Sequence, residues 1–166
     1  LDFEILGLTA DESRQEVLLS AARTESVNGR VSALTEAGMN TMVVDVGAHA
    51  LGRAVLACLP ELKTWDKPVG IVDIGASAMT FAALLKGEVV YSRLQNFGGD
   101  QYSQALASFY SMSLDEAELA KVQGRLPADH EVEVLLPHLN TLVLQVKRNV
   151  QLFCSSSGNK ELSKLV

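Results

Sequence analysis

The sequence predicts a mixed α/β protein, and three observations carry that expectation. Short strand-like runs (Val69–Ile74, Ala78–Leu85, Glu88–Leu94) follow one another in the middle of the chain, separated by glycine turns. Stretches with apolar residues three and four apart flank them, the longest from about Asp129 to Cys154. The first and third of these runs end in small, acidic, glycine-rich turns, Asp73-Ile74-Gly75-Ala76-Ser77 and Gly98-Gly99-Asp100, and the second of these leads into a helical stretch.

In chain order, Leu1 to Leu8 sets Leu1, Phe3 and Ile5 against Asp2 and Glu4 and reads as a half-buried strand. A polar turn over Thr9–Ser13 leads to a second strand, Glu16–Ala22. Thr24 is the expected cap of a helix whose Val27, Val31 and Leu34 share a face, with Gly38 at its left-handed end. Gly29 inside that helix weakens it by about 1 kcal/mol relative to alanine. Thr41–Val46 reads as a third strand and Ala48–Leu59 as a helix stopped by Pro60. Pro60 and Pro68 bracket a polar stretch holding Trp65, the expected join between subdomains. Lys86-Gly87 is a two-residue hairpin turn. Asp100 is the expected cap of a helix over about Gln101–Tyr110, and Ser113-Leu114-Asp115-Glu116 is a capping box opening a helix to about Val122. In the last helix, Pro137 forces a kink or a fresh start, and Ser155–Asn159 ends it.

Composition narrows the function classes. With 166 residues, 48% hydrophobic and 20% charged, the chain suits one ordinary domain or two small ones. A net charge of −6 argues against a non-specific nucleic-acid surface, which needs dense Lys and Arg. No apolar run approaches the roughly 20 residues that span a bilayer. Cys58 and Cys154 are far apart and His49, His130 and His138 are scattered, so neither a metal-ligand spacing nor a P-loop is present. The chain opens at Leu1 with no leader and reads as a piece of a longer protein.

Two turns can carry chemistry. In Asp73-Ile74-Gly75-Ala76-Ser77, Gly75 lets backbone approach a phosphate, the turn amides form an anion-binding concavity, and Asp73 can hold Mg²⁺ through water. Ser77 and Thr80 can add hydroxyl donors. The same residues also suit a plain tight turn in which Asp73 bonds its own backbone. Gly98 and Gly99 likewise either present a helix N-terminus to an anion or simply permit a sharp turn into a helix. Lys147 and Arg148, on the polar side of the long helix, can reach a base or ribose or can be solvated charges. Asp115-Glu116-x-Glu118 reads as a first-turn acidic face that complements the helix dipole.

Taken in order, these motifs resemble the actin-like ATPase superfamily, and within it the PilM family of type IV pilus assembly proteins. The residues carrying the resemblance are Val43-Val44-Asp45-Val46 with Ala50-Leu51, Val72–Ser77 with Thr80, and Arg93-x-Gln95-x-Phe97-Gly98-Gly99-Asp100. Glu116-Ala117-Glu118-x-x-Lys121, Leu126-Pro127 and the helix Gln145–Phe153 continue it, so it spans nearly the whole chain. It implies an actin-like (ribonuclease H-like) ATPase fold fragment with a small inserted strand-helix-strand subdomain. On that map residues 1–46 are the inserted, partner-binding subdomain, and 47–66 return to the first lobe. Residues 67–100 begin the second-lobe sheet with its phosphate hairpin, and 101–166 supply a helical insertion and the long helix.

The resemblance further implies ATP and Mg²⁺ as ligands of the parent protein. Asp73, Gly75, Ala76, Ser77 and Thr80 fall on the second phosphate motif, Gly98 and Gly99 beside the nucleotide, and Lys147 and Arg148 near adenosine. Ala78 departs from the pattern where heat-shock-type relatives carry threonine. The first phosphate hairpin and the glycine-pair adenosine motif are absent, so the isolated chain is expected to bind ATP weakly or not at all. The implied role is a cytoplasmic scaffold, peripheral to the inner membrane, that binds the cytoplasmic tail of PilN and other pilus inner-membrane platform proteins and can self-associate. Whether the parent hydrolyses ATP stays open. The alternatives are a small-molecule kinase or another actin-like ATPase of the cell-division or secretion-platform type.

Overall fold

The computed structural model describes residues 1–158 and 161–166. They divide into two compact units, Leu1–Gly47 and Ala48–Val166.

In the first unit, β1 (Asp2–Leu8) and β2 (Gln15–Ser20) form an antiparallel ribbon, followed by α1 (Thr24–Glu36). The order is therefore strand-strand-helix. Phe3 lies opposite Leu19 and Ile5 opposite Val17, which gathers the apolar side chains on one face, while Glu4 pairs with Leu18 on the other. The expected half-burial is absent: every residue of β1 is exposed, and α1 buries none of its residues. A unit of this size has no second layer to lay over the ribbon. Two further expectations are corrected. The N-cap of α1 is Arg23 and makes no side-chain cap bond, because Thr24 already lies inside the helix. Thr41–Val46 forms no strand, since it has no ladder partner, and Met42 and Val43 stay 83% and 78% exposed. Gly38 takes the left-handed conformation (φ 76°), as expected.

The second unit is layered around a sheet of order β5-β4-β3-β6, formed by β3 (Val69–Ile74), β4 (Met79–Leu85), β5 (Glu88–Gln95) and β6 (Lys164–Leu165). β3, β4 and β5 are antiparallel neighbours, and β6 runs parallel to β3. Lys86 and Gly87 both have positive φ (52° and 83°), the geometry of the two-residue hairpin turn. Alternation along the strands gives the sheet two apolar faces. Val69, Ile71, Ala82 and Leu84 lie under α2 (Gly47–Cys58), in contact with its Leu51, Val55 and Leu56. Phe81 and Ala83 face the other way and pack on Val150 and Phe153 of α5 (Leu136–Ser156). Tyr91 meets both Phe81 and Phe153 edge-on, at centroid distances of 6.1 and 5.6 Å.

The Pro60–Pro68 stretch is part of this unit and not a join. After α2 it forms a 3-10 turn, Pro60–Lys63, whose Leu62 is 1% exposed in the sheet core. Trp65 Nε1 donates to Ser163 Oγ at 3.0 Å, and Lys86 N donates to Trp65 O at 3.2 Å. Beyond β5, α3 (Gly99–Phe109) and α4 (Leu114–Val122) form a helical layer with its own core of Leu106, Ala117 and Val134. The Ser113 capping box forms as expected, with Glu116 Oε2 accepting from Ser113 N at 2.8 Å.

A π-turn, Glu131–Leu135, then leads into α5, with Pro137 in the first turn of that helix. Proline has no amide and its ring crowds the carbonyl four residues back. The chain answers by widening the turn: Leu136 N–H bonds to Glu131 O, five residues earlier, and the helix restarts.

Phe153 sits between the helix and the sheet at 1% exposure. Phe153→Ala is expected to cost about 3–5 kcal/mol of stability in urea unfolding. A loss below about 1 kcal/mol would show that α5 does not close the sheet.

Candidate functional site

The candidate site is the end of the sheet where β3 and β5 deliver their two glycine turns. Asp73 lies directly opposite Thr80 across the β3–β4 ladder, so both side chains stand on the α2 side of the sheet, beyond its apolar part. Asp73 is exposed, and among the described residues its carboxylate has no hydrogen bond or ion pair. It does not bond its own turn, which the tight-turn reading required.

The turn between β3 and β4 is closed by Gly75 N–H donating to Ala78 O at 2.9 Å. Its two outer carbonyls are then used by the second glycine turn. Gly99 N–H donates to Gly75 O at 3.1 Å, and Asp100 N–H donates to Ala76 O at 2.8 Å. Gly98 lies so near this turn that a Cβ on it would stand 2.3 Å from Gly75 O and 2.5 Å from Ala76 O. Its φ of −177° is ordinary extended backbone, so glycine is required here for space and not for conformation.

The sequence expectation is corrected in two ways by this clasp. Gly98, not Asp100, is the N-cap of α3, and Gln101 Oε1 accepts from Gly98 N at 2.6 Å. The amides of Gly98, Gly99 and Asp100 are thereby all spent within the protein. The amides of the first turn left without a protein acceptor, among the described residues, are those of Ala76, Ser77 and Ala78. The free backbone amides therefore belong to the first turn, and the second turn holds it in place.

The structure brings Asp73, Gly75, Ala76, Ser77, Thr80, Gly98 and Gly99 to one end of the sheet. Lys147 and Arg148 are not part of that group. They are exposed on α5, which covers the opposite face of the sheet from Asp73 and Thr80. No contact joins either to the turns among the described residues.

Two polar clusters form beside the turns. Ser103, fully buried on α3, accepts from Lys121 Nζ at 2.6 Å and donates to Glu118, while Lys121 Nζ also donates to Glu118 at 2.8 Å. These bonds, Lys121's first, hold the Glu118 carboxyl below its ordinary range. The Glu-x-x-Lys spacing on one helix was the available signal, and Glu118 does more than complement a dipole. The second cluster is a ladder. Asn149 Nδ2 donates to Gln95 Oε1 at 2.6 Å and Gln95 Nε2 to Gln145 Oε1 at 3.0 Å, tying the end of β5 to α5.

Among the described residues no three His, Cys, Asp or Glu side chains assemble a metal cage. A single carboxylate beside free turn amides instead suits a hydrated Mg²⁺ that takes its remaining ligands from water and phosphate. No helix of the described residues is long and apolar enough to cross a membrane.

Comparison with known proteins agrees with this architecture. The family model of the type IV pilus assembly protein PilM matches residues 1–166. The solved structure of a PilM–PilN type IV pilus biogenesis complex is similar at 27% identity and TM-score 0.70, over 92% of this chain and 44% of the matched one. Ethanolamine utilization protein EutJ from Carboxydothermus hydrogenoformans is 22% identical with TM-score 0.59, over 81% of this chain and 45% of its own, and speaks for the fold alone. The fold is actin-like. The chain spans less than half the length of the structures it matches.

Gly98→Ala puts a methyl group against two backbone carbonyls that cannot rotate away. It is expected to open the clasp, cost about 2 kcal/mol or more, and speed hydrogen exchange at the Gly99 and Asp100 amides. Unchanged exchange at both amides would mean the clasp has room to spare.

Proposed function

The chain belongs to the family of the type IV pilus assembly protein PilM, and on that footing we propose that it supplies one wall of an ATP site and the partner-binding unit of a pilus assembly scaffold. The observation that carries the nucleotide reading is the end of β3. Asp73 stands there unpartnered beside the free amides of Ala76 and Ser77. A phosphate seated on those amides would lie close to a carboxylate able to hold Mg²⁺ through water. Thr80 and Ser77 hydroxyls make no hydrogen bond of their own among the described residues and are open to the same ligand. Gly98 and Gly99 act at one remove, by fixing the turn. Lys147 and Arg148 are the proposed adenosine neighbours, by resemblance only.

The proposed mechanism is nucleotide-dependent holding and not group transfer. Positioned amides and a hydrated cation neutralise phosphate charge without a protein acid or base. No residue of the turn is a general base: Asp73 is the one carboxylate there, and its proposed task is the cation. Whether the complete protein hydrolyses ATP depends on residues outside this constellation.

The partner reading rests on the first unit. Phe3, Ile5, Val17 and Leu19 form an exposed apolar face on a two-stranded ribbon. An extended peptide can add to a free strand edge and seat alternate side chains in shallow pockets. The proposed occupant is the cytoplasmic tail of PilN, the partner named in the similar complex. Such a scaffold would work in the cytoplasm at the inner membrane.

In the protein that carries this chain, Asp73→Ala is expected to weaken Mg-ATP binding by about tenfold or more in calorimetry, roughly 1.4 kcal/mol. Undiminished affinity would remove Asp73 from the site. Ile5→Asp is expected to abolish pull-down by a PilN-tail peptide while leaving Mg-ATP binding unchanged. Retention of the peptide would place the tail elsewhere.

A further inference from the structure

A second concavity of the Ala48–Val166 unit reaches the second glycine turn through Phe97 and Gln101 but includes no residue of the Asp73 turn. It is a cleft of about 300 Å³ walled by two rows of side chains spaced four apart: Gln101, Ala105 and Phe109 on α3, and Glu133, Pro137 and Thr141 along the π-turn and α5. Its inner end is closed by an aromatic stack. The His138 ring lies parallel to Phe97 (5.0 Å, 12°) and tilts against Tyr102 at 5.5 Å. Burial pushes His138 below the usual histidine range, so at neutral pH this ring brings no charge to the cleft.

The lining contains no Lys or Arg, and Glu133 is its one carboxylate. Asp129 and Glu131, on the same stretch of chain as Glu133, are exposed but lie outside the lining. Their field is felt by the neighbouring tyrosines. Burial, a 2.7 Å hydrogen bond to Asp129 and the charges of Asp129 and Glu133 push Tyr110 up to about 12, and burial, helped by Glu131, raises Tyr102. Phe109 remains 51% exposed at the edge. An apolar lining that carries a carboxylate and no Lys or Arg selects against an acidic partner and for a basic one.

We propose that this cleft docks an amphipathic, Lys/Arg-flanked segment of a partner protein, with one or two apolar anchors between Phe109 and Pro137 and a basic residue at Glu133. The volume suits anchor side chains of a peptide and is at the low end for a whole small ligand. The site shares no residue with Asp73 and its turn or with the ribbon of the first unit, so it stands or falls independently of the proposed ATP and PilN functions.

The test is fluorescence anisotropy of the full chain with a short labelled leucine–lysine amphipathic peptide, beside a leucine–glutamate peptide of equal length. The lysine peptide is expected to bind and to weaken as salt rises. Glu133→Lys combined with Thr141→Lys, both at exposed positions, is expected to weaken binding about tenfold or more. Phe109→Ala is expected to weaken it at both low and high salt, since it removes an anchor contact and no charge. Equal binding of the glutamate peptide, or unchanged binding in both variants with unchanged thermal melts, would overturn the proposal. A concentration-dependent dimer that Phe109→Ala dissolves would overturn it as well, because a second copy of the chain would then be the occupant.

Discussion

The second unit depends on one backbone contact, the clasp between the two glycine turns. The net worth of its hydrogen bonds, Gly99 N–H to Gly75 O and Asp100 N–H to Ala76 O, is about 1 kcal/mol each. Its steric part decides more, since the chain at Gly98 passes where no side chain fits. Once it is made, α3 can leave the sheet in only one direction. That direction sets Ser103 against Glu118 and Lys121, and the neighbouring Phe97 against His138. The free amides of Ala76 and Ser77 are a by-product of the same contact, because their turn is held open by its own carbonyls.

What could be read in the sequence follows the range of the physics involved. The β3–β4–β5 meander was legible because its signals are local: alternation, a Lys-Gly turn and a run of β-branched residues. The Ser113 capping box was legible for the same reason. Gly98 was not legible as a cap, since intrinsic preference favours Asp100 and the deciding contact comes from residues more than twenty positions earlier. The ribbon shows the limit of periodicity. Alternation in Asp2–Leu8 identifies an apolar face and says nothing about whether another layer covers it. Thr41–Val46 has strand-forming composition without a partner strand, and composition cannot supply one. Pro60 and Pro68 end a helix and precede a strand, which prolines do inside domains as readily as between them. The Asp73 turn was therefore readable as a constellation, whereas the task of its glycines was not.

The joint task of Gln95, Gln145 and Asn149 was not legible for a different reason. Polar residues in an apolar stripe look like surface, yet Asn149 is fully buried with its Oδ1 unpaired among the described residues. An unsatisfied buried oxygen of this kind costs about 1–3 kcal/mol. The ladder returns specificity for that cost. Leucines alone would let α5 slide along the sheet with little penalty, but a shift of one turn would break both amide bonds to Gln95. The end of β5, and with it the start of the clasp, is thus locked to one position of the long helix.

The π-turn before Pro137 makes a single helical rod serve two cores. On its N-terminal side Val134 fills the layer of α3 and α4, and on its C-terminal side Phe153 fills the sheet. The extra residue in the widened turn sets the rotational phase between those two duties. At the level of the gene this makes Glu131–Leu135 intolerant of length variation. A one-codon deletion would restore a regular helix and swing Val134 by roughly a quarter-turn away from Leu106 and Ala117. This five-residue stretch, although half of it faces water, is counted as strictly as the core it connects.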